Sequence, residues 1–236
     1  MTNPKRNFVD LDTETEKIEK IVLELQKELY ISTGEPKETR ELLELFNPIN
    51  IIRFKGYDYQ EVQDLGAVRF NKDKYETAGI VDHLRKLVAI SLKFKPHERK
   101  FTTGHELGHI LLHPHLSLHR DRPIDSEKPK GTFNFTEWQA NKVATYLLMP
   151  KFLILREVKK RFGRNLPLTF DDNISFILNP RNPGNLIRSE AKSLNREIAM
   201  ATYTDGGKVI SLVELFGVSI EAMARRLQEL GVARYP

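Results

Sequence analysis

The chain has 236 residues, of which 40% are hydrophobic and 29% charged, and a formal net charge of +5. This composition excludes an intrinsically disordered chain, and the length fits one good-sized core or one domain plus a helical appendage. There is no cysteine, which excludes disulfides, thiolate zinc ligands and a thiol nucleophile, so any metal site must use His, Asp or Glu. The mild positive charge permits an acidic partner without demanding nucleic acid. Residues 1–10 are polar and lack the apolar core of a signal peptide. The longest apolar run is far short of the roughly 20 residues that span a bilayer. A cytoplasmic protein without membrane contact is expected.

In chain order, residues 13–30 read as a helix. Thr13 and Glu16 make a capping-box pattern, and Ile18, Ile21, Val22, Leu25 and Leu29 form one stripe. Gly34 and Pro36 stop it. A second helix is expected over 37–46, ended by Pro48. A β-rich region follows, with strands at 49–54, 66–70, 78–81 and 87–94. In the last, Val88, Ile90, Leu92 and Phe94 alternate with Leu87, Ala89, Ser91 and Lys93. Pro96 suits the first turn of a helix that carries the histidine-rich stretch 102–115. Residues 120–131 read as loop, with Pro123, Pro129 and Gly131. Thr136 can cap a helix through Met149, Pro150 breaks it, and Gly163 closes the next helix over 151–162. Lys159, Lys160, Arg161 and Arg164 read as a solvated helix end whose cations suit the dipole. The stretch 165–185, with Pro167, Pro180 and Pro183, reads as the least regular. Helices are expected again over 186–201, 209–216 and 219–230.

The chemistry concentrates in His105-Glu106-Leu107-Gly108-His109, an H-E-x-x-H pattern. On a helix, residues four apart share a face, so both imidazoles can reach one point at the roughly 2.0–2.1 Å that zinc prefers. Glu106 sits beside that face, where its carboxylate can take a proton from water activated by a metal. The motif lies between Phe101 and Ile110, Leu111 and Leu112, which predicts a largely buried helix. Buried imidazoles and a buried carboxylate without partners would be costly. A zinc enzyme needs a third ligand, and two residues compete. His115 lies six residues past His109, the spacing metzincins use, but the glycine that turns their chain is replaced by Leu112. Glu137, on the next predicted helix with Asn141 four residues on as a polar neighbour for a ligand, is preferred. His113 reads as a helix-end residue near the C-terminal dipole, and His115 and His119 as surface loop residues.

The segments "KFTTGHELGHILLH" and "TEWQANKVATYLLMP" closely resemble ImmA/IrrE-type metallopeptidases, in which H-E-x-x-H precedes an E-x-x-A-N helix ending in Leu-Leu-x-Pro. The matching residues of that helix are Glu137, Ala140, Asn141, Leu147, Leu148 and Pro150. The likeness is good over about 78–155 and the last two dozen residues, and poor before residue 49 and over 164–203. The resemblance implies an α+β, zincin-like core with a small mixed or antiparallel sheet and an active-site helix, flanked by N- and C-terminal helices. Together with the chain-order reading, the expected organisation is an N-terminal helical segment (1–48), a zinc metallopeptidase core (49–163), an irregular and helical insertion (164–208) and a helix-turn-helix-like segment packed on the core (209–236). The resemblance further implies one Zn2+ per chain held by His105, His109 and Glu137, Glu106 as general base, and a helix-turn-helix repressor as protein substrate. The family's edge strand corresponds to 87–94, so Ser91 and Leu92 are expected to pair with extended substrate.

Three function classes follow: a zinc peptidase acting on a protein, a DNA-binding regulator that uses the C-terminal pair of helices, and a non-cleaving partner-binding protein on a peptidase fold. An intact Glu106 favours the first, because a structural metal site has no use for a base beside it.

Overall fold

The computed structural model describes residues 10–33, 38–70, 73–115, 118–121, 133–163, 166–169, 172–178, 191–204 and 207–234. The fold is α+β, with a small mixed sheet and helices before and after it. Helix α1 (Leu11–Thr33) is capped one turn earlier than Thr13 and Glu16 imply. The Asp10 carboxylate accepts from the Asp12 N–H at 3.1 Å, an orphan donor of the first turn, and from the Thr13 hydroxyl at 2.6 Å. Ile18, Val22, Leu25 and Leu29 are buried, while Ile21 is exposed. Each buried aliphatic side chain contributes about 1.5–3 kcal/mol relative to exposure.

Two short helices follow, α2 (Thr39–Leu45) and α3 (Pro48–Phe54). Helix α3 occupies the stretch expected to be a strand at 49–54. The Asn47 side chain accepts the Ile49 N–H at 3.1 Å, and Pro48 sits in the first turn. A cap plus a proline with preset φ outweighs the β propensity of Ile49, Ile51 and Ile52.

Strands β1 (Asp58–Val62), β2 (Ala67–Phe70), β3 (Asp73–Glu76), β4 (Gly79–Asp82), β5 (Leu87–Ser91) and β6 (Leu118–Asp121) come next. β2 and β3 form a separate antiparallel hairpin. The main sheet has the order β1-β5-β4-β6, with β1 and β5 parallel and the other two pairings antiparallel. The expectation that 87–94 forms the sheet edge is therefore corrected: β5 is an inner strand. The Ser91 N–H donates to the Ala78 carbonyl at 2.9 Å, and the Leu92 N–H donates to the Val62 carbonyl at 2.8 Å. Neither amide is available to a substrate strand, so Ser91 and Leu92 are withdrawn as substrate-binding residues. Among the described residues the edges are β1 and β6. The run Leu-Val-Ala-Ile-Ser is buried without alternation over its last four residues, as suits a strand covered on both faces.

Helix α4 (Pro96–Leu112) packs against β4 and β5 on one side and against α5 (Phe135–Leu148) on another, and α1 covers α5. The N-cap of α5 is Asn134, whose side chain accepts the Thr136 N–H at 3.1 Å, rather than Thr136 itself. Helix α6 (Lys151–Phe162) ends at Gly163, whose φ of 60° is the left-handed conformation that glycine adopts without strain. Its basic end is not wholly solvated. Arg161 is buried, donates to the Ile210 carbonyl at 2.6 Å and faces Glu157 at 3.6 Å; Arg164 lies outside the described residues, as does most of the expected loop 120–131.

The rest of the chain adds β7 (Leu168–Thr169), α7 (Asp172–Leu178), α8 (Ala191–Met200), β8 (Tyr203–Thr204), β9 (Gly207–Lys208), α9 (Leu212–Phe216), α10 (Ile220–Glu229) and β10 (Ala233–Arg234). α7 falls within the stretch read as least regular, where only its short apolar run Ile174, Phe176, Ile177, Leu178 signals a helix. α10 packs on α8. Arg226 of α10 is buried over the Tyr146 ring, 4.5 Å from its centroid, and donates to the Met149 carbonyl at 3.3 Å, a contact that ties the C-terminal helix to the end of α5.

Candidate metal centre

The site is made where α4 crosses α5, and the crossing is close because its contact residues are small. A Cβ on Gly108 would lie 2.7 Å from the Ala140 Cα, and one on Gly104 would lie 3.3 Å from the Ala144 Cα. Larger residues at these positions would hold the helices apart. The approach brings Glu137, one turn before Ala140, over the face of α4 that carries His105 and His109. The sheet is equally close. A Cβ on Gly79 of β4 would run into the Glu106 Oε1 and the Thr102 methyl, so any larger residue there would displace the Glu106 carboxylate from its present position. None of these glycines was identified from the sequence; a glycine four residues from another within a helix, opposite a pair of alanines four apart, was the available signal.

His105, Glu106 and His109 are at most 2% exposed, whereas the Glu137 side chain is 22% exposed. The two Nε2 atoms lie 2.9 Å apart. The Glu137 carboxylate places one oxygen 3.5 Å from His105 Nε2 and the other 3.7 Å from His109 Nε2. Among the described residues this is the one group of three His, Asp or Glu side chains whose ligand atoms converge, all within 4.8 Å of one another. His115 is exposed and outside the cluster.

The donor set fits a metal ion. Ligands at about 2.0–2.1 Å in a tetrahedron are roughly 3.3 Å apart, close to the separations found. Two imidazoles and a carboxylate leave a fourth position open, as catalytic zinc sites do. The second nitrogens are engaged as metal ligands require. His105 Nδ1 lies 3.0 Å from Asn141 Oδ1. An amide oxygen only accepts, so Nδ1 carries the proton and Nε2 keeps its lone pair for the cluster. Asn141 thus stands next to the ligand His105. His109 Nδ1 lies 3.1 Å from His113 Nδ1. His113, read from sequence as a helix-end residue, is buried and makes this contact from the C-cap of α4.

A search of curated proteins returned no match. Residues 61–165 match the family model described as Peptidase_M78, IrrE N-terminal-like domain. That segment contains the H-E-x-x-H helix, Glu137 and the strand that covers Glu106, and the match over it supports a likeness to ImmA/IrrE-type metallopeptidases for this part of the chain.

Proposed function

We propose that the protein is a zinc-dependent endopeptidase that cuts an extended segment of another protein. One observation carries the reading: His105, His109 and Glu137 converge on one point, beside a carboxylate, Glu106, that is buried under β4. Zinc held by these three residues supplies Lewis-acid chemistry, acidifying water and polarising a carbonyl. Glu106 takes one proton from the attacking water as the new C–O bond forms, and delivers it to the nitrogen as the C–N bond breaks. Asn141 holds the His105 ring in the tautomer that leaves Nε2 free. Gly79 lets the backbone of β4 close over Glu106 and keep bulk water off it.

Substrate geometry follows from the sheet. β6 is the edge strand beside β4, and Asp121 is the register partner of Gly79. An extended peptide pairing along the outer side of β6 lies close to the cluster, using the main-chain groups an edge strand offers. This requires an accessible, unfolded stretch in the substrate, so cleavage falls in linkers or locally opened segments. The resemblance to ImmA/IrrE-type peptidases supports a helix-turn-helix repressor as the protein cut, and hence a role in transcription regulation in the cytoplasm. No helix among the described residues is long and apolar enough to cross a membrane.

Metal analysis tests the assignment. Purified protein is expected to bind close to one zinc per chain, and His109→Ala is expected to lose it. Full zinc content in His109→Ala would overturn the site. Zinc retained by Glu137→Ala but lost by His115→Ala would move the third ligand to His115.

A further inference from the structure

A line of polar side chains runs from the metal cluster to the N-terminal helix. His109 Nδ1 meets His113 Nδ1 at 3.1 Å, His113 Nε2 meets Gln139 Oε1 at 2.9 Å, and Gln139 Nε2 donates to Glu14 Oε1 at 2.7 Å. The other Glu14 oxygen accepts from Lys17 Nζ at 3.3 Å. Glu14 lies on α1, outside the segment that matches the peptidase family. We propose that Glu14 is a positioning residue of the metal site, setting the tautomer of His109 through Gln139 and His113; the proposal rests on the zinc-site reading above.

The direction of every proton in the line can be worked out from one end. With zinc on Nε2, His109 keeps its proton on Nδ1 and must donate. His113 Nδ1 must then accept, so neutral His113 carries its proton on Nε2. That N–H needs an acceptor, and Gln139 Oε1 is placed there. The Gln139 amide nitrogen is left facing Glu14 and needs an acceptor as well. A carboxylate is acceptor-only, so Glu14 terminates the line in the one sense that His109 requires. A glutamine at residue 14 could donate, and the Gln139 amide could then turn over. The His113 proton would be driven to Nδ1, against the Nδ1 proton of His109. The carboxylate therefore gives the line its polarity, and helix α1 acts as part of the metal site.

The placement of α1 makes this use of the carboxylate practical. α1 packs on α5, the helix that also carries Glu137 and Asn141. The buried face Ile18, Val22, Leu25 and Leu29 fixes it there, so Glu14 is held by hydrophobic packing rather than by the polar line itself. Partners one step removed from a metal ligand typically change metal affinity by about 10–100-fold when lost.

The test uses the full chain carrying Glu14→Gln, with Glu16→Gln as a control on the exposed part of the same helix. Zinc affinity is read by competition with a chelator, and the imidazole tautomers by long-range 1H–15N correlation spectra of the folded zinc-loaded protein. Glu14→Gln is expected to weaken zinc about tenfold and to move His113 from the Nε2–H tautomer to a mixture, while Glu16→Gln changes neither. Gln139→Leu, which interrupts the line while leaving the Glu14 carboxylate in the chain, is expected to weaken zinc comparably. Unchanged affinity and an unchanged His113 tautomer in both Glu14→Gln and Gln139→Leu would overturn the proposal. An equal loss in Glu16→Gln would overturn it too, by showing a general effect of charge on α1. If the wild type binds no zinc, it is the zinc-site reading that fails, and the two failures are told apart.

Discussion

Gly108→Ala is a one-carbon change whose outcome is set by two opposed effects. Alanine is the better helix former, and exchanging a mid-helix glycine for it gains about 0.5–1 kcal/mol. Against this, the new Cβ arrives 2.7 Å from the Ala140 Cα and 2.9 Å from its carbonyl oxygen. Carbon atoms pack at about 3.5–4.0 Å, so α5 must retreat from α4 by close to 1 Å, and both contacts are backbone that cannot rotate away. Overpacking of a close contact costs about 1–3 kcal/mol. The net expectation is a loss of about 1–2 kcal/mol, or a few degrees in melting temperature for a chain of this size. The larger consequence is at the site. Glu137 moves with α5, and metal bonds tolerate only about 0.2 Å. Zinc affinity is expected to fall at least tenfold, towards that of a two-histidine site. Gly104→Ala is the internal comparison: its Cβ meets Ala144 at 3.3 Å, so gain and cost nearly cancel. Thermal unfolding of the metal-free protein and chelator competition of the zinc form measure the two effects separately. A Gly108→Ala protein as stable as the wild type, with the same zinc affinity, would refute the argument that this glycine sets the position of Glu137.

The other expectations are shorter. Asn141→Ala removes the acceptor of His105 Nδ1 and is expected to weaken zinc about 10-fold or more without unfolding the chain; undiminished affinity in a chelator titration would deny Asn141 its role. Ser91→Pro removes a ladder hydrogen bond of an inner strand, at about 1–3 kcal/mol, so its denaturation midpoint falls. Selective loss of cleavage at wild-type stability would instead restore the edge-strand role of residues 87–94. At Glu229, burial pushes the carboxyl pKa up, but Lys142 at 2.6 Å and Arg226 at 2.8 Å outweigh it and leave it below the ordinary value. A depressed folded-state pKa stabilises above the unfolded value and loses that contribution as pH falls through the folded one. The stability difference between wild type and Glu229→Gln is thus expected to hold from pH 7 to 5 and shrink below about 4.5, the unperturbed value. A difference that grows on acidification would contradict the pairing.

Much of the site was legible because its chemistry is local. Four-residue spacing on a helix brings His105 and His109 together whatever the rest of the chain does, and the Glu137–Asn141 pair repeats that spacing on α5. The fold class was legible from the same helices and from the resemblance that accompanies them. What escaped was long-range. The Asp-Tyr-Gln-Glu-Val sequence of β1 has almost no strand signature, so the pairing that makes β5 an inner strand was invisible, and nothing in the sequence opposed the resemblance that placed an edge strand, with Ser91 and Leu92 facing substrate, at 87–94. Asn47 and Pro48 show the reverse case, where a local cap signal was present but the isoleucines after it were read as β. The close approaches at Gly79, Gly104 and Gly108 depend on what lies opposite each glycine, which periodicity does not reveal. His113 was read by its place at a helix end, whereas its partner Gln139 is supplied by another helix and that helix's partner Glu14 by a third.

The central claim is that Glu106 moves the proton in a hydrolysis carried out at the His105–His109–Glu137 centre. Zinc-loaded wild type and Glu106→Gln, incubated with an unstructured peptide library and read by mass spectrometry of the products, test it most directly. The wild type is expected to generate internal cuts that disappear on metal removal and return with zinc. Glu106→Gln is expected to hold the same zinc, melt at a similar temperature and leave the library intact. Wild-type cleavage by Glu106→Gln, or cuts that persist without metal, would contradict the account.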